Sequence, residues 1–231
     1  MPIFYCPNIL ETKELTPEEA AHCTRVLRLK EGDLINISDG KGTFYEAEIT
    51  LATNKKCLVN IINTTTLERA PFYIHIAMGP TKNMERNELV AEKGTEIGLD
   101  ELSFLKCRFS ERKVIKDDRI EKILVSAMKQ SKHAYLPKLN PLANFEEFVK
   151  RPFDWQKFIA HCYENDKKTL KNSYQVGNNA LILIGPEGDF SPQEVNLALE
   201  NGFIPVTLGD SRLRTETAAI YALSTINILN A

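Results

Sequence analysis

The chain has 231 residues, 43% hydrophobic and 26% charged, with a formal net charge of −2. That composition suits a folded protein with a substantial core, and five scattered cysteines without a C-x-x-C pair exclude a disulfide framework and a clustered zinc site. No apolar run is long enough to cross a bilayer and Met1-Pro2-Ile3-Phe4 lacks a signal-peptide pattern, so no membrane partner and a cytoplasmic location are expected.

The first helix is expected to start at Thr16-Pro17-Glu18-Glu19, with threonine as cap, proline in the first turn and Glu19 closing a capping box, and to run to about Val26. Glu31-Gly32-Asp33 then turns into an apolar strand, Leu34 to Ser38, and Asp39-Gly40-Lys41-Gly42 is a hairpin turn. Tyr45 to Ile49 and Cys57 to Ile61 alternate as half-buried strands do. These elements make a small, mostly β domain over residues 1–70, and polar Asn63 to Arg69 reads as the linker to a second domain, 71–231.

From Pro71 onward strands and helices alternate. Phe72 to Met78 reads as a strand, Asn83 to Ile97 as a helix ending at Gly98, Leu102 to Leu105 as a strand and Asp118 to Ser131 as a helix. Phe158 to Cys162 and Leu181 to Ile184 are buried-strand patterns. Ser191-Pro192-Gln193-Glu194 is a second capping box, its helix closed by Gly202, followed by a strand from Ile204 to Leu208 and a helix from Glu216 to Asn230. Such alternation predicts an α/β domain with a largely parallel sheet.

Two loops stand out, Ile184-Gly185-Pro186-Glu187-Gly188-Asp189-Phe190 and Leu208-Gly209-Asp210-Ser211-Arg212-Leu213-Arg214-Thr215-Glu216-Thr217-Ala218. Both follow strands, and parallel α/β sheets bind ligands at the carboxyl ends of strands. Glycine lets backbone approach a ligand closely, although Gly185-Pro186 alone equally makes a turn. Arg214 and Glu216, two apart at a strand-to-helix junction, are functional candidates or a mutual salt bridge. There is no phosphate loop, no G-x-G-x-x-G after a strand and no G-x-S-x-G elbow. The four histidines lack metal-ligand spacing, so no metal is expected, and His75 reads as a hydrogen-bonded core residue. Residues 106–138 hold ten Lys or Arg against four Asp or Glu, and residues 22–30 hold Arg25, Arg28 and Lys30 without an acid. Two readings of these stretches stand, a phosphate-binding face and a solvated helix surface.

The ordered set of segments resembles the RsmE family of 16S ribosomal RNA uridine-N3 methyltransferases. Gly185-Pro186-Glu187-Gly188, then Leu208-Gly209 and Leu213-Arg214-Thr215-Glu216-Thr217-Ala218, are similar to its C-terminal signature. His22 with Arg25-Val26-Leu27-Arg28 and Gly32-Asp33 is similar to its N-terminal motif. Lys93 with Glu96-Ile97-Gly98, Ser110-Glu111-Arg112, Gln130-Ser131 and Leu136-Pro137 follow in the family's order. Two positions depart from the pattern: Asp189 replaces the second glycine of the family's turn, and Ser211 stands where an arginine is usual.

The resemblance implies an α/β protein: a small PUA-like β-barrel domain that binds RNA, then a SPOUT methyltransferase domain with a trefoil knot. It implies S-adenosyl-L-methionine as cofactor, 16S ribosomal RNA within the small subunit as substrate, and a homodimer. The cofactor would lie against Leu183, Ile184, Gly185, Pro186, Glu187, Gly188, Leu208, Gly209, Leu213, Arg214, Thr215 and Thr217, with Leu208 and Leu213 flanking the adenine. Arg214 would contact the uridine and Glu216 would be a base, an orienting partner of Arg214 or a helix cap. Arg25, Arg28 and Arg112 would contact RNA phosphates. Ala218, Ala219, Ala222, Leu223 and Ile226 form a face of the last helix, either a dimer contact or ordinary core. Two alternatives remain, a non-catalytic RNA-binding or ribosome-assembly protein on the same domains and a small-molecule enzyme with a Rossmann-like sheet.

Overall fold

The computed structural model describes residues 1–53, 55–163 and 166–231. They divide into an N-terminal unit, residues 1–69 with 125–136, and a C-terminal unit, residues 70–124 with 137–231. Nothing in the sequence assigns 125–136 to the first unit.

The N-terminal unit begins with β1 (Ile3–Tyr5), α1 (Ile9–Thr12) and α2 (Pro17–Ala21), and continues with β2 (Leu34–Ser38), β3 (Thr43–Ala52) and β4 (Cys57–Thr66). Its four strands lie in the order β1-β2-β3-β4, with β1 parallel to β2 and the rest antiparallel. Phe4, Ile9, Leu15, Ile35, Ile37 and Ile49 fill its core. The hairpin forms as expected: Asp39 Oδ1 accepts from the amides of Lys41 (2.7 Å) and Thr43 (3.0 Å).

Three features of this unit differ from the sequence pattern. Thr16 caps α2 by accepting from the Glu19 amide, but Glu19 does not close the box, because its carboxylate accepts from the Tyr5 amide and pairs with Lys129. The α-helix stops at Ala21 and widens into a π-helical turn, His22–Val26, where the Thr24 hydroxyl bonds back to the Ala20 carbonyl. Asn63–Thr66 is no linker, for it extends β4 and pairs with Thr43–Glu46 of β3. Consecutive β-branched threonines favour the strand, and polarity marks only that this end is exposed.

The C-terminal unit contains β5 (Ile74–Met78), α3 (Met84–Ile97), β6 (Glu101–Lys106) and the start of α4 (Asp117–Ser131), whose residues from Val125 belong to the first unit. It continues through β7 (Lys138–Asn144), α5 (Phe145–Val149), β8 (Gln156–Ala160), β9 (Lys168–Thr169), α6 (Leu170–Ser173), β10 (Ala180–Ile184), α7 (Pro192–Glu200), β11 (Ile204–Thr207) and α8 (Thr215–Leu229). Among the described residues its seven strands are all parallel, in the order β7-β6-β5-β10-β8-β11-β9. Every residue of β5 and β10 is buried, as strands covered on both faces require. Phe145, Phe148, Val195 and Ala198 of α5 and α7 cover the face carrying Ala77, Leu181 and Leu183. On the other face α8 packs against α3, β5 and β10. Ala219, Ala222, Leu223 and Ile226 are buried in that packing, so the expected dimer face is part of the chain's own core. Asn83 caps α3, Gly98 ends it at φ +107°, and Ser191 with Glu194 forms the full capping box.

His75 is buried as expected, with Nε2 2.8 Å from Ser103 Oγ. Beside it Glu101 accepts from Lys138 (3.0 Å), Asn140 (2.6 Å) and the Tyr73 hydroxyl (2.9 Å). Burial pushes the His75 pKa down from 6.5 to about 4. The folded chain therefore holds a neutral imidazole, whereas the unfolded chain takes up a proton near the ordinary value. Stability from this site is complete above the unfolded pKa and is lost as pH falls through the folded one, a shift worth roughly 3 kcal/mol. His75→Gln is expected to lower Tm at neutral pH and to flatten its fall on acidification. Thermal unfolding over that pH range tests this, and equal acid sensitivity in the two proteins would contradict it.

Candidate active site

β10 lies between β5 and β8, so the strand order reverses around it, and ligand crevices form at such switch points. The chain is pulled tight there. The Gly79 amide, just past β5, donates to the Ile184 carbonyl at 2.8 Å. A β-carbon on Gly79 would stand 2.6 Å from Pro186 Cδ, so only glycine lets these backbones approach. Gly185 is equally confined, because a β-carbon would come within 3.0 Å of Asp189 Cα.

The carboxyl ends of β10, β8 and β11 open onto two adjoining cavities within the C-terminal unit, each of about 430 Å³. They share Ala160, Cys162, Arg212, Leu213 and Ala218. Ile184, Gly185, Pro186, Glu187, Arg214 and Thr215 line the first, and Leu208 and Gly209 line the second. The fold thus gathers two loops separated in sequence, as expected. Leu183 is in the core, Gly188 lies under Phe109 and Thr217 is exposed, and none of them lines either cavity.

Polar contacts knit the rim. The Lys82 amide donates to the Glu187 carboxylate at 2.9 Å. Arg112 donates through Nε to the Thr81 carbonyl at 3.0 Å and through Nη2 to the Lys82 carbonyl, so part of its guanidinium is engaged in holding this loop. Lys167 donates to the carbonyls of His161 and Tyr163. Burial, reinforced by Lys167, holds His161 below its ordinary pKa and therefore neutral at pH 7. Burial likewise lowers Lys167 and raises the Cys162 thiol.

Arg214 and Glu216 do not form the salt bridge weighed from the sequence. Arg214 is exposed as the N-cap residue of α8, and its guanidinium has no hydrogen bond or ion pair among the described residues. Glu216 is buried, with Oε1 3.6 Å from Arg86 Nε. Arg86, in the first turn of α3, lines the first cavity. Sequence reasoning missed it, along with Cys162, the rest of the segment 160–163 and Lys167, whereas Arg212 lies in the second loop already singled out. The strand Phe158 to Cys162 pointed to that segment, but its neighbours in the sheet could not be read. In the N-terminal unit Arg25 and Arg28 are exposed and have no hydrogen-bond or ion-pair partner through their side chains among the described residues. Arg28 adopts φ +56° beside the exposed Val26. Among the described residues no group of three His, Cys, Asp or Glu could hold a metal ion.

A family model for an RNA methyltransferase domain matches residues 68–227, and one for an RNA methyltransferase PUA domain matches residues 15–62. Fold and site therefore define a chain of the RNA methyltransferase class. It is 30% identical to ribosomal RNA small subunit methyltransferase E of Bacillus subtilis (strain 168), a match covering 94% of this chain and 90% of that one. This chain belongs to the ribosomal RNA small subunit methyltransferase E family, as its motifs suggested. A probable rRNA-methyltransferase from Porphyromonas gingivalis superposes with TM-score 0.93 at 42% identity, covering 100% of this chain and 98% of that one. A ribosomal RNA small subunit methyltransferase E from Neisseria gonorrhoeae, bound to S-adenosyl methionine, superposes with TM-score 0.86 at 27% identity, covering 100% and 98%.

Asp189 has a structural account. It sits at φ +64°, where glycine is favoured. Its carboxylate accepts from the Cys162 amide at 2.7 Å and the Phe190 amide at 2.8 Å, offsetting the strain and tying the β10 loop to the β8 loop. Asp189→Ala is expected to cost roughly 2 kcal/mol, losing both bonds while keeping a β-carbon. Asp189→Gly should cost about 1 kcal/mol less, because it relieves the backbone. Urea denaturation of both variants checks this, and a glycine variant no more stable than the alanine variant would count against it.

Proposed function

We propose that this chain transfers the methyl group of S-adenosylmethionine to N3 of a uridine in 16S ribosomal RNA of the small ribosomal subunit. The observation that carries this reading is the pair of cavities at the switch point, in a chain that superposes over its whole length on a relative bound to S-adenosyl methionine. The residues fit the cofactor. Backbone at Ile184–Glu187 and Leu208–Gly209 would hold its polar groups, Gly185 lets the loop fold back closely on Asp189, and Leu208, Leu213, Ala160 and Ala218 offer apolar walls. Leu183, Gly188 and Thr217 support these loops from beside or beneath. When bound, S-adenosylmethionine supplies an electrophilic methyl group on a sulfonium sulfur.

The chain's own task is to align N3 with that methyl group and to stabilise the charge that develops on the uridine. Arg214, exposed at the cavity and without a hydrogen-bond or ion-pair partner for its guanidinium among the described residues, would serve the second part. Arg25 and Arg28 would take RNA phosphates, with Arg112 adding the donor capacity that Thr81 and Lys82 leave over. Lys106, Arg108 and Lys113, around a separate cavity of about 610 Å³, would extend the basic surface of the C-terminal unit. The chain would thread a trefoil knot, a reading supported by the place of β11 between β8 and β9, both earlier in the chain. It would act in the cytoplasm as a homodimer. Tyr221 and Ile228 of α8, 49% and 72% exposed beside an apolar groove formed by Leu170, Leu208 and Leu229, support the dimer. No helix among the described residues is long and apolar enough to cross a membrane.

Calorimetry with S-adenosylmethionine, and methyl transfer to small ribosomal subunits from cells lacking this chain, test the proposal. Wild type should bind and transfer, and Gly185→Val, which pushes the loop after β10 off Asp189, should do neither while the rest of the chain remains folded. A wild-type chain that binds RNA but no S-adenosylmethionine would favour the non-catalytic reading. RNA affinity should fall steeply with salt, and replacing Arg25 and Arg28 together by alanine should reduce the salt slope by about 2 while leaving cofactor affinity unchanged. An unchanged slope would remove these arginines from the interface.

A further inference from the structure

We propose that Arg86 is a second uridine-facing cation of the active site, and that Glu216 serves the reaction only by positioning Arg86 and not as a base. The inference rests on methyl transfer to uridine N3 as proposed above.

A general base must come within hydrogen-bond reach of the proton it removes. Glu216 is 7% exposed, its Oε2 is buried without a hydrogen-bond partner among the described residues, and it lines neither cavity. Its other oxygen lies 3.6 Å from Arg86 Nε. Arg86 lines the same cavity as Arg214, and its terminal NH2 groups have no acceptor among the described residues. The buried carboxylate thus forms an ion pair at the Nε edge of the guanidinium, and the paired terminal donors have no acceptor among the described residues. A fork of this kind suits an oxygen acceptor that gains charge.

Uridine N3 lies between two carbonyl groups. Loss of its proton to water spreads negative charge onto O2 and O4. The N3 electron pair then forms the new bond to the methyl carbon as the C–S bond breaks, its electron pair remaining on sulfur. Arg86 and Arg214, one to each carbonyl, would favour the N3 anion and bring the uridine's acidity toward neutral pH. The cavity's other charged groups are Arg212, Glu187 and Asp189, and both carboxylates are occupied by backbone amides. The Cys162 thiol, raised by burial, remains protonated at neutral pH.

The test is single-turnover methyl transfer at saturating S-adenosylmethionine, from neutral to alkaline pH, using small ribosomal subunits from cells lacking this chain. Arg86→Gln should slow transfer about 10²-fold at neutral pH, as loss of one preorganised donor does, and move the break in the pH profile upward by about two units. Its affinity for S-adenosylhomocysteine, by calorimetry, should stay within about threefold of wild type. Subunits containing 5-fluorouridine, whose N3 is more acidic, should shrink the defect. A merely structural role would slow both substrates alike at every pH. Glu216→Gln should produce a milder form of the same shift, and should add nothing once Arg86 is replaced, the coupling expected of partners. Arg86→Lys keeps the charge without the fork and should recover only part of the rate, which preserves the test if Arg86→Gln does not fold. A wild-type profile in Arg86→Gln, or a further loss on adding Glu216→Gln to it, overturns the inference. Absence of methyl transfer by wild type overturns the functional reading beneath it.

Discussion

The site depends on one constraint, the insertion of β10 between β5 and β8. That placement sets the Gly79 amide against the Ile184 carbonyl and leaves no room for a β-carbon at Gly79 beside Pro186. Once β10 is seated, its following loop has one path, over the end of β5 and toward β8. The cavities are what remains between that loop and the loop after β11. A buried parallel strand with apolar residues at every position cannot slip without exposing them, so hydrophobic burial holds the rim in register.

Charge in this molecule divides by environment. Arg112, Lys167 and Lys129 direct donors to carbonyls or to a carboxylate of their own unit, and so stabilise loops and packing. Arg25, Arg28 and Arg214 remain open, and Arg86 is only half committed. Desolvation and available acceptors make the difference. A guanidinium beside unpaired loop carbonyls satisfies them, because a buried polar group without a partner is costly. A cation at a cavity mouth keeps its water until a ligand replaces it.

Asp189 shows how one residue reconciles strain with attachment. Its position calls for left-handed backbone, which glycine adopts freely and aspartate with modest difficulty. The carboxylate offsets this by accepting two amides, one on the loop after β8. In this chain the loops after β10 and β8 are thus joined through a side chain as well as through packing.

Local signals in the sequence determined much of this protein. The capped helices, the hairpin at Asp39, the buried strands at Ile74 and Leu181 and the two glycine loops were legible because each rests on period, cap or turn chemistry within a few residues. Those signals failed where polarity misled, as at Asn63–Thr66, or where elements were too short to show a period, as with β1, α1, β9 and α6. The polar strand β7 and short α5 were missed for the same reasons. Only the tertiary structure decided which strands became neighbours, that Glu216 turns inward to Arg86, and that the aliphatic face of α8 is core. Partner choice is set by burying apolar faces and satisfying desolvated groups across residues far apart in the chain. Local pattern does not encode such pairings, so Arg86 could be found only once α3 and α8 were seen packed together.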